Sequence, residues 1–360
     1  MSTITPTPGP LLTASQQFPT VLWNDSSDLE ELRQSISFGG VGATCNPVIA
    51  YTTISKHRDI WEPRIRQIAA DHPTWGESEI GWQAVKDMSV EAAALLEDIF
   101  DQHQGRNGRL SVQTDPRYHR DAKKLADQAE EFHNLARNIV VKIPATAVGL
   151  EAIEEAVWRG VSINVTVSFT VAQAVQAAEA IERGLNRREA AGLPIDHMGC
   201  VVTIMVGRLD DWFKSVVARD RIFIDASALE WGGIAAFKHA YTIFSERGYR
   251  SRVLCAAFRN VNHWAEFQGG DVVVSPPFAW QEIINASDYT VEERMSVPVS
   301  EHYLHELSRI PDFRRAYDID GLSVEEFASF GPTRNTLRQF LDADAKLDAL
   351  VRDLIVPAAH

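Results

Sequence analysis

The chain has 360 residues, of which 45% are hydrophobic and 23% are charged, so it holds ample apolar material for a large core. Its formal net charge of −14 argues against a general attraction to nucleic acid or anionic membranes, but it is compatible with a local pocket for one small anion. The sequence has no signal-peptide pattern, no apolar run long enough to cross a bilayer, and no metal-site spacing among its three cysteines. We therefore expect a cytoplasmic protein with reduced cysteines, no metal and no cofactor.

Residues 1–18 are rich in Pro, Thr and Ser and predict a flexible N-terminal tail. Beyond them, short apolar runs alternate with helical patterns. The eight runs are 20–23, 41–44, 109–113, 138–142, 161–167, 201–206, 252–257 and 271–275. Strands that alternate with helices indicate a parallel sheet, and eight such units predict one α/β domain over residues 19–360, a closed (β/α)8 barrel.

Two segments exceed what eight strand–helix units need. Residues 48–108 form a long insertion between the second and third strands, and its pattern predicts extra helices. From about residue 300 the chain again has a helical pattern. We expect this extension either to lie over one face of the barrel or to form an oligomer contact, so a homodimer is a candidate assembly.

Polar residues alternate with apolar ones in the fifth predicted strand, VSINVTVS. Because successive side chains of a strand point to opposite faces, Asn164 and Thr166 are predicted to line the barrel interior.

Lys142 ends the fourth strand, NIVVK. A lysine there is costly to bury and shifts its pKa readily, which suits an amine nucleophile. Taken alone, the strand favours another interpretation, in which Lys142 is solvated or pairs with a structural carboxylate. The polar residues at the ends of other strands favour the nucleophile, since they meet at the mouth where barrel enzymes keep their active sites. These residues are Asp25, Thr44, Asn46, Gln113, Asn164 and Thr166.

Over residues 20–275 the chain resembles the transaldolase family. The segments that carry the resemblance are VLWNDSSDLEEL, GVGATCNPVIA, SVQTDPR, VVKIPATAVGLEAI, GVSINVTVSFTVAQA, VGRLDDW and AAFRN. The resemblance implies a (β/α)8 enzyme of the pentose phosphate pathway that transfers a dihydroxyacetone unit between sugar phosphates through a lysine Schiff base.

The resemblance also implies roles for individual residues. Lys142 would form the Schiff base, Asp25 would take the C4 hydroxyl proton, and Thr166 would position a catalytic water. Gln113 occupies the remaining catalytic position. Four residues would bind the sugar, and two arginines in VGR and AFRN would bind its phosphate. In that order, these residues are Thr44, Asn46, Asn164, Thr203, Arg208 and Arg259.

Three positions depart from the family pattern. Transaldolases have a glutamate where this chain has Gln113, whereas the related fructose 6-phosphate aldolases have glutamine there. Ala257 replaces the serine before Phe258, and Met205 replaces an aromatic residue before VGR. Because glutamine cannot relay protons near neutral pH, a fructose 6-phosphate aldolase or a specialised biosynthetic aldolase stays open as an alternative.

A catalytically silent barrel that binds sugar phosphates is a further alternative, because a barrel fold alone implies no function. A dinucleotide enzyme is disfavoured since no GxGxxG follows an early strand. A metal aldolase is disfavoured because the eleven histidines, such as His119, His133 and His263, are scattered. We expect the histidines on helices to lie at the surface.

Overall fold

The computed structural model describes residues 4–358. Eight parallel strands pair in chain order and close into a barrel. They are β1 (Val21–Asn24), β2 (Gly40–Thr44), β3 (Arg109–Gln113), β4 (Ile139–Pro144), β5 (Ile163–Thr166), β6 (Val201–Ile204), β7 (Arg252–Ala256) and β8 (Val273–Ser275). Each predicted strand overlaps an observed one, and the predicted (β/α)8 barrel is confirmed.

Helices follow the strands and surround the barrel. The first eight are α1 (Pro10–Gln17), α2 (Leu29–Ser37), α3 (Pro47–Lys56), α4 (Arg58–Asp71), α5 (Glu77–Ala94), α6 (Glu97–Gln102), α7 (Ala122–His133) and α8 (Ala147–Trp158). The others within residues 4–358 are α9 (Val171–Ala190), α10 (Val206–Asp220), α11 (Gly232–Arg247), α12 (Asn262–Ala265), α13 (Phe278–Asn285), α14 (Glu301–Leu307), α15 (Pro311–Tyr317) and α16 (Gly331–Ile355). No helix in this part of the chain combines the length and the apolar character that a membrane crossing requires.

The prediction of a flexible tail over residues 1–18 is wrong for Pro10–Gln17, which form α1. Leu11 is 2% exposed and packs into the main core together with Ala14. The backbone N–H of Thr7 donates to the carbonyl oxygen of Ser37 at 2.8 Å, which ties the segment to the end of α2. The Pro- and Ser-rich composition concealed the short apolar face that Leu11 and Ala14 form one turn apart. Residues 1–3 lie outside the described chain.

Apolar side chains fill the barrel interior. One buried cluster contains Trp23, Val140, Val201, Leu254 and Val273, which come from five different strands. Because side chains alternate along a strand, the residue two positions after an interior residue also faces the interior. The barrel therefore changes from an apolar plug to polar residues towards the carboxyl ends of its strands.

Helix α16 crosses the mouth at the carboxyl ends of the strands. It packs against α3, α10 and the 3₁₀ turn Pro116–Tyr118, which follow β2, β6 and β3 at that end, and against α5 of the insertion. A second buried cluster joins α16 to the insertion helices through Ile65, Ile80, Leu347 and Val351. The extra helices predicted in both segments are confirmed. Of the two placements predicted for the C-terminal extension, α16 lies over the barrel face.

A cluster of one cation and three carboxylates fixes the middle of α16 to the turn after β3. Arg117 binds Asp115 through its Nη2 at 2.6 Å, and its Nε lies 3.1 Å from Asp344. Its Nη1 lies 3.4 Å from Asp348. One guanidinium cannot neutralise three carboxylates, and Asp344 is only 4% exposed. Burial and the nearby charge of Asp115 raise the pKa of Asp344 to about 7.

We expect Asp344→Asn to gain stability relative to the native chain as pH rises. The folded-state pKa of Asp344 lies above the ordinary value, so its contribution to folding is lost as pH rises from about 4 to about 7. Asparagine mimics the neutral acid and carries no such dependence. Urea unfolding at about pH 5 and about pH 8 measures the difference, with Asp342→Asn on the exposed side of α16 as the control. A difference between Asp344→Asn and the native chain that is the same at both pH values would contradict this account.

Candidate active site

Lys142 lies in the barrel interior, two residues beyond Val140 of the apolar plug. It pairs with Gln113 of β3 on one side and with Asn164 of β5 on the other. Its side chain is buried at 7% exposure. Burial lowers the pKa of the Lys142 ammonium, and the opposing charge of Asp25 offsets only part of this effect. The amine is therefore closer to its neutral, nucleophilic form than a surface lysine is.

Asp25 follows the end of β1, and its backbone N–H donates to the carbonyl oxygen of Pro276 at 3.2 Å. The hydroxyl of Thr44, at the end of β2, donates to Asp25 Oδ1 at 2.7 Å. This bond orients the carboxylate and leaves its second oxygen for a proton on a ligand. Asp25 and Thr44, which the sequence placed at one mouth, are in direct contact.

Asn164 is held by hydrogen bonds on both sides of its amide. Its Nδ2 donates to Ser111 Oγ at 2.9 Å, and Thr203 Oγ1 donates to its Oδ1 at 2.7 Å. All three side chains are buried. Asn164 keeps one amide N–H for a ligand. The hydroxyl of Thr203 is used to hold the Asn164 side chain in place.

Gln113 and Thr166 end their strands as predicted, and both are buried. No partner within residues 4–358 satisfies Gln113 Oε1. Just beyond Thr166 the backbone of Val167 has φ 49°, a conformation that costs a β-branched residue roughly 1–3 kcal/mol. Such strain is common at functional sites.

Asn46 has a structural role as well as a place at the mouth. It is the N-cap of α3, and its Oδ1 accepts hydrogen bonds from the backbone N–H groups of Val48 and Ile49. Only its amide nitrogen is left to contact a sugar.

Arg208 and Arg259 line one cavity of about 180 Å³. Arg208 lies in the first turn of α10, and Arg259 lies in the loop after β7. A Cβ on Gly207 would lie 1.9 Å from the carbonyl oxygen of Ala257, so only glycine lets α10 begin this close to the loop. Arg259 Nε donates to Asp211 at 2.8 Å, so an anion at Arg259 has to share it with Asp211 or displace that carboxylate.

The family model described as transaldolase/fructose-6-phosphate aldolase matches residues 22–317. The chain belongs to the transaldolase/fructose-6-phosphate aldolase family.

Curated relatives carry the transaldolase name. Transaldolase 1 of Streptomyces avermitilis is 31% identical over 57% of this chain and 54% of its own length. A transaldolase of Saccharopolyspora erythraea is 30% identical over 52% of this chain and 50% of its own length. The chain thus spans about half the length of these relatives. A transaldolase of Thiobacillus denitrificans is 26% identical over 86% of this chain and 88% of its own length.

One buried pair of side chains beside Arg259 was not predicted from the sequence. The backbone N–H of Arg259 donates to His263 Nδ1 at 3.0 Å, so His263 is neutral and its Nε2–H donates to Asp210 at 2.8 Å. Asp210 also accepts from the N–H of Gly233 at 2.7 Å. Both side chains are 0% exposed, so the expectation that helix-borne histidines lie at the surface is wrong for His263. Neighbouring residues gave no signal, because its partner lies on another helix.

We expect His263→Leu to lower the free energy of unfolding by about 1.5–3 kcal/mol, because it removes a buried hydrogen-bond donor from the Asp210 carboxyl group. The change also removes the acceptor that holds the backbone of Arg259. Urea unfolding measures the loss, with His302→Leu as the control, since His302 is 59% exposed and its hydrogen bond with Asp225 lies at the surface. Equal stability of the two variants would show that the buried pair does not hold this loop.

Proposed function

We propose that this protein transfers a dihydroxyacetone unit from a ketose phosphate to an aldose phosphate through a Schiff base on Lys142. The observation that carries the proposal is the buried amine of Lys142, whose lowered pKa makes it a nucleophile. Family membership supports the same chemistry.

In the proposed reaction, the Lys142 amine attacks the C2 carbonyl of the ketose and forms a carbinolamine, which loses water to give an iminium. Asp25 takes the proton of the C4 hydroxyl, and the C3–C4 bond breaks. The electron pair of that bond moves into the iminium, so a dihydroxyacetone enamine stays on Lys142 while the aldose phosphate leaves. An acceptor aldose phosphate then enters, and the steps reverse. The hydrogen bond from Thr44 keeps the Asp25 carboxylate directed at the substrate.

Other polar groups have binding roles in this proposal. The amide nitrogen of Asn46 and the remaining amide N–H of Asn164 are left for sugar hydroxyls. Thr166 positions the water of the carbinolamine steps, and the cavity of Arg208 and Arg259 takes the phosphate. The substrates are small sugar phosphates rather than nucleic acid, for which a net charge of −14 is unsuitable.

A fructose 6-phosphate aldolase is the second candidate, and Gln113 is the observation that favours it. Glutamine has no useful proton to give or take near neutral pH. Its Oε1 accepts no hydrogen bond from any residue within 4–358, so it can accept one from a water. In an aldolase, water releases free dihydroxyacetone from Lys142 without an acceptor aldehyde.

We also propose that the enzyme works in the cytoplasm. Cys45, Cys200 and Cys255 are free and buried, which suits a reducing compartment. The homodimer stays a prediction.

Borohydride added during turnover of fructose 6-phosphate should fix a dihydroxyacetone-derived mass on the peptide that contains Lys142, because it reduces the iminium. Lys142→Arg should abolish both the label and the activity, since it keeps a cation but cannot form a Schiff base. Lys124→Ala is the control, because this lysine is 62% exposed and should leave the label unchanged. Mass spectrometry of the digested protein locates the adduct. A label on another lysine, or no label at all, would contradict the proposed function.

Gln113→Glu should raise the rate of transfer to erythrose 4-phosphate, because a correctly placed general acid–base group contributes about a hundredfold or more. The products of fructose 6-phosphate should be identified with and without erythrose 4-phosphate. Product that forms only with the acceptor supports transfer, whereas free dihydroxyacetone without it supports the aldolase. A Gln113→Glu variant with unchanged or lower transfer would show that this site works with glutamine.

A further inference from the structure

Helix α16 contacts the side chain of Arg208. Arg208 Nη1 donates to Thr336 Oγ1 at 3.1 Å and also to Gln339 Oε1. Thr336 is 1% exposed. The ring of Phe340 lies 5.8 Å from the guanidinium carbon. Two hydrogen bonds from one face of α16 thus hold a single nitrogen of Arg208, and the Phe340 ring lies beside the guanidinium.

The rest of the guanidinium is left for a ligand. Within residues 4–358, no acceptor is hydrogen-bonded to Nε or Nη2 of Arg208. These two N–H groups form the parallel edge that binds two oxygens of a phosphate at once. Burial and the like charge of Arg259 lower the pKa of Arg208. An anion bound between the two guanidinium groups would therefore reduce the repulsion between them.

The cavity in front of Arg208 has walls from both the barrel and the C-terminal helix. Arg208, Asp211 and Arg259 come from α10 and the loop after β7, whereas Asn335, Thr336 and Gln339 come from α16. Its volume of about 180 Å³ has room for a phosphate group and ordered waters. The position of α16 therefore decides the shape of this cavity.

We propose that Thr336 and Gln339 are positioning residues of the anion site, which fix Arg208 so that its Nε–Nη2 edge receives the phosphate of the substrate. This rests on the proposed function only in taking the anion to be a substrate's phosphate. A free arginine samples many rotamers, and holding it in advance removes an ordering cost from binding. The C-terminal helix thereby makes the barrel selective for phosphorylated over unphosphorylated ketoses.

The first test is inorganic phosphate binding, measured by titration calorimetry on the full chain. We expect Arg208→Ala to abolish measurable binding and Gln339→Ala to weaken it by about threefold to tenfold, as for the loss of one pre-ordered side chain. Gln339→Glu should weaken it more, because its carboxylate still binds Arg208 and adds a negative charge to the cavity. Thr336→Val, which keeps the side-chain shape, should resemble Gln339→Ala. Gln102→Ala is the matched control, since Gln102 lies exposed on α6.

The second test compares the KM of fructose 6-phosphate with that of unphosphorylated fructose. The Gln339 and Thr336 variants should raise only the KM of the phosphorylated substrate and leave kcat nearly unchanged. An equal rise for both substrates, or phosphate binding in Gln339→Ala and Gln339→Glu that matches the native chain, would overturn the proposal. Calorimetry also separates it from the Schiff base. Phosphate binding that depends on Gln339 would support the anion site even if borohydride labelled no lysine, and Lys142→Arg should bind phosphate normally.

Discussion

A primary amine buried inside a closed barrel is the interaction on which the rest of the site depends. Water would solvate the Lys142 ammonium well, whereas the barrel interior does so poorly, and the lowered pKa of Lys142 follows from that difference. Asp25 supplies the nearby negative charge that limits the shift. The register of β3, β4 and β5 places Gln113 and Asn164 beside the amine, so the sheet that buries Lys142 also brings its polar neighbours to it.

The mouth of this barrel is built by more than the loops after its strands. Helix α16 is attached at one end to the insertion helices through Leu347 and Val351, and in its middle to Arg117 through Asp344. Towards its start it contacts Arg208. Two segments that a minimal barrel does not need therefore support each other, and together they enclose the side of the mouth where an anion would bind.

Local patterns predicted the barrel well because each strand is a short apolar run between helices with their own periodicity. They also placed Lys142 and the polar residues of other strands at one mouth, since the carboxyl ends of parallel strands meet there, but β4 continues beyond Lys142 to Pro144 instead of ending at it. Helix α1 was missed because its apolar face is only one turn long. The bond between Asp210 and His263 and the contacts of Arg208 with α16 join residues 53 and about 130 positions apart. No spacing along the chain indicates such pairs.

The barrel holds Lys142 as an unusually acidic ammonium. Its pKa can be measured directly by following the ¹³Cε resonances of isotopically labelled lysines through a pH titration, with Lys142→Arg to assign the signal. We expect the resonance that is absent from the variant to titrate well below those of the surface lysines. If the Lys142 signal titrated together with those of the surface lysines, the amine would be charged near neutral pH, and this explanation of its reactivity would be wrong.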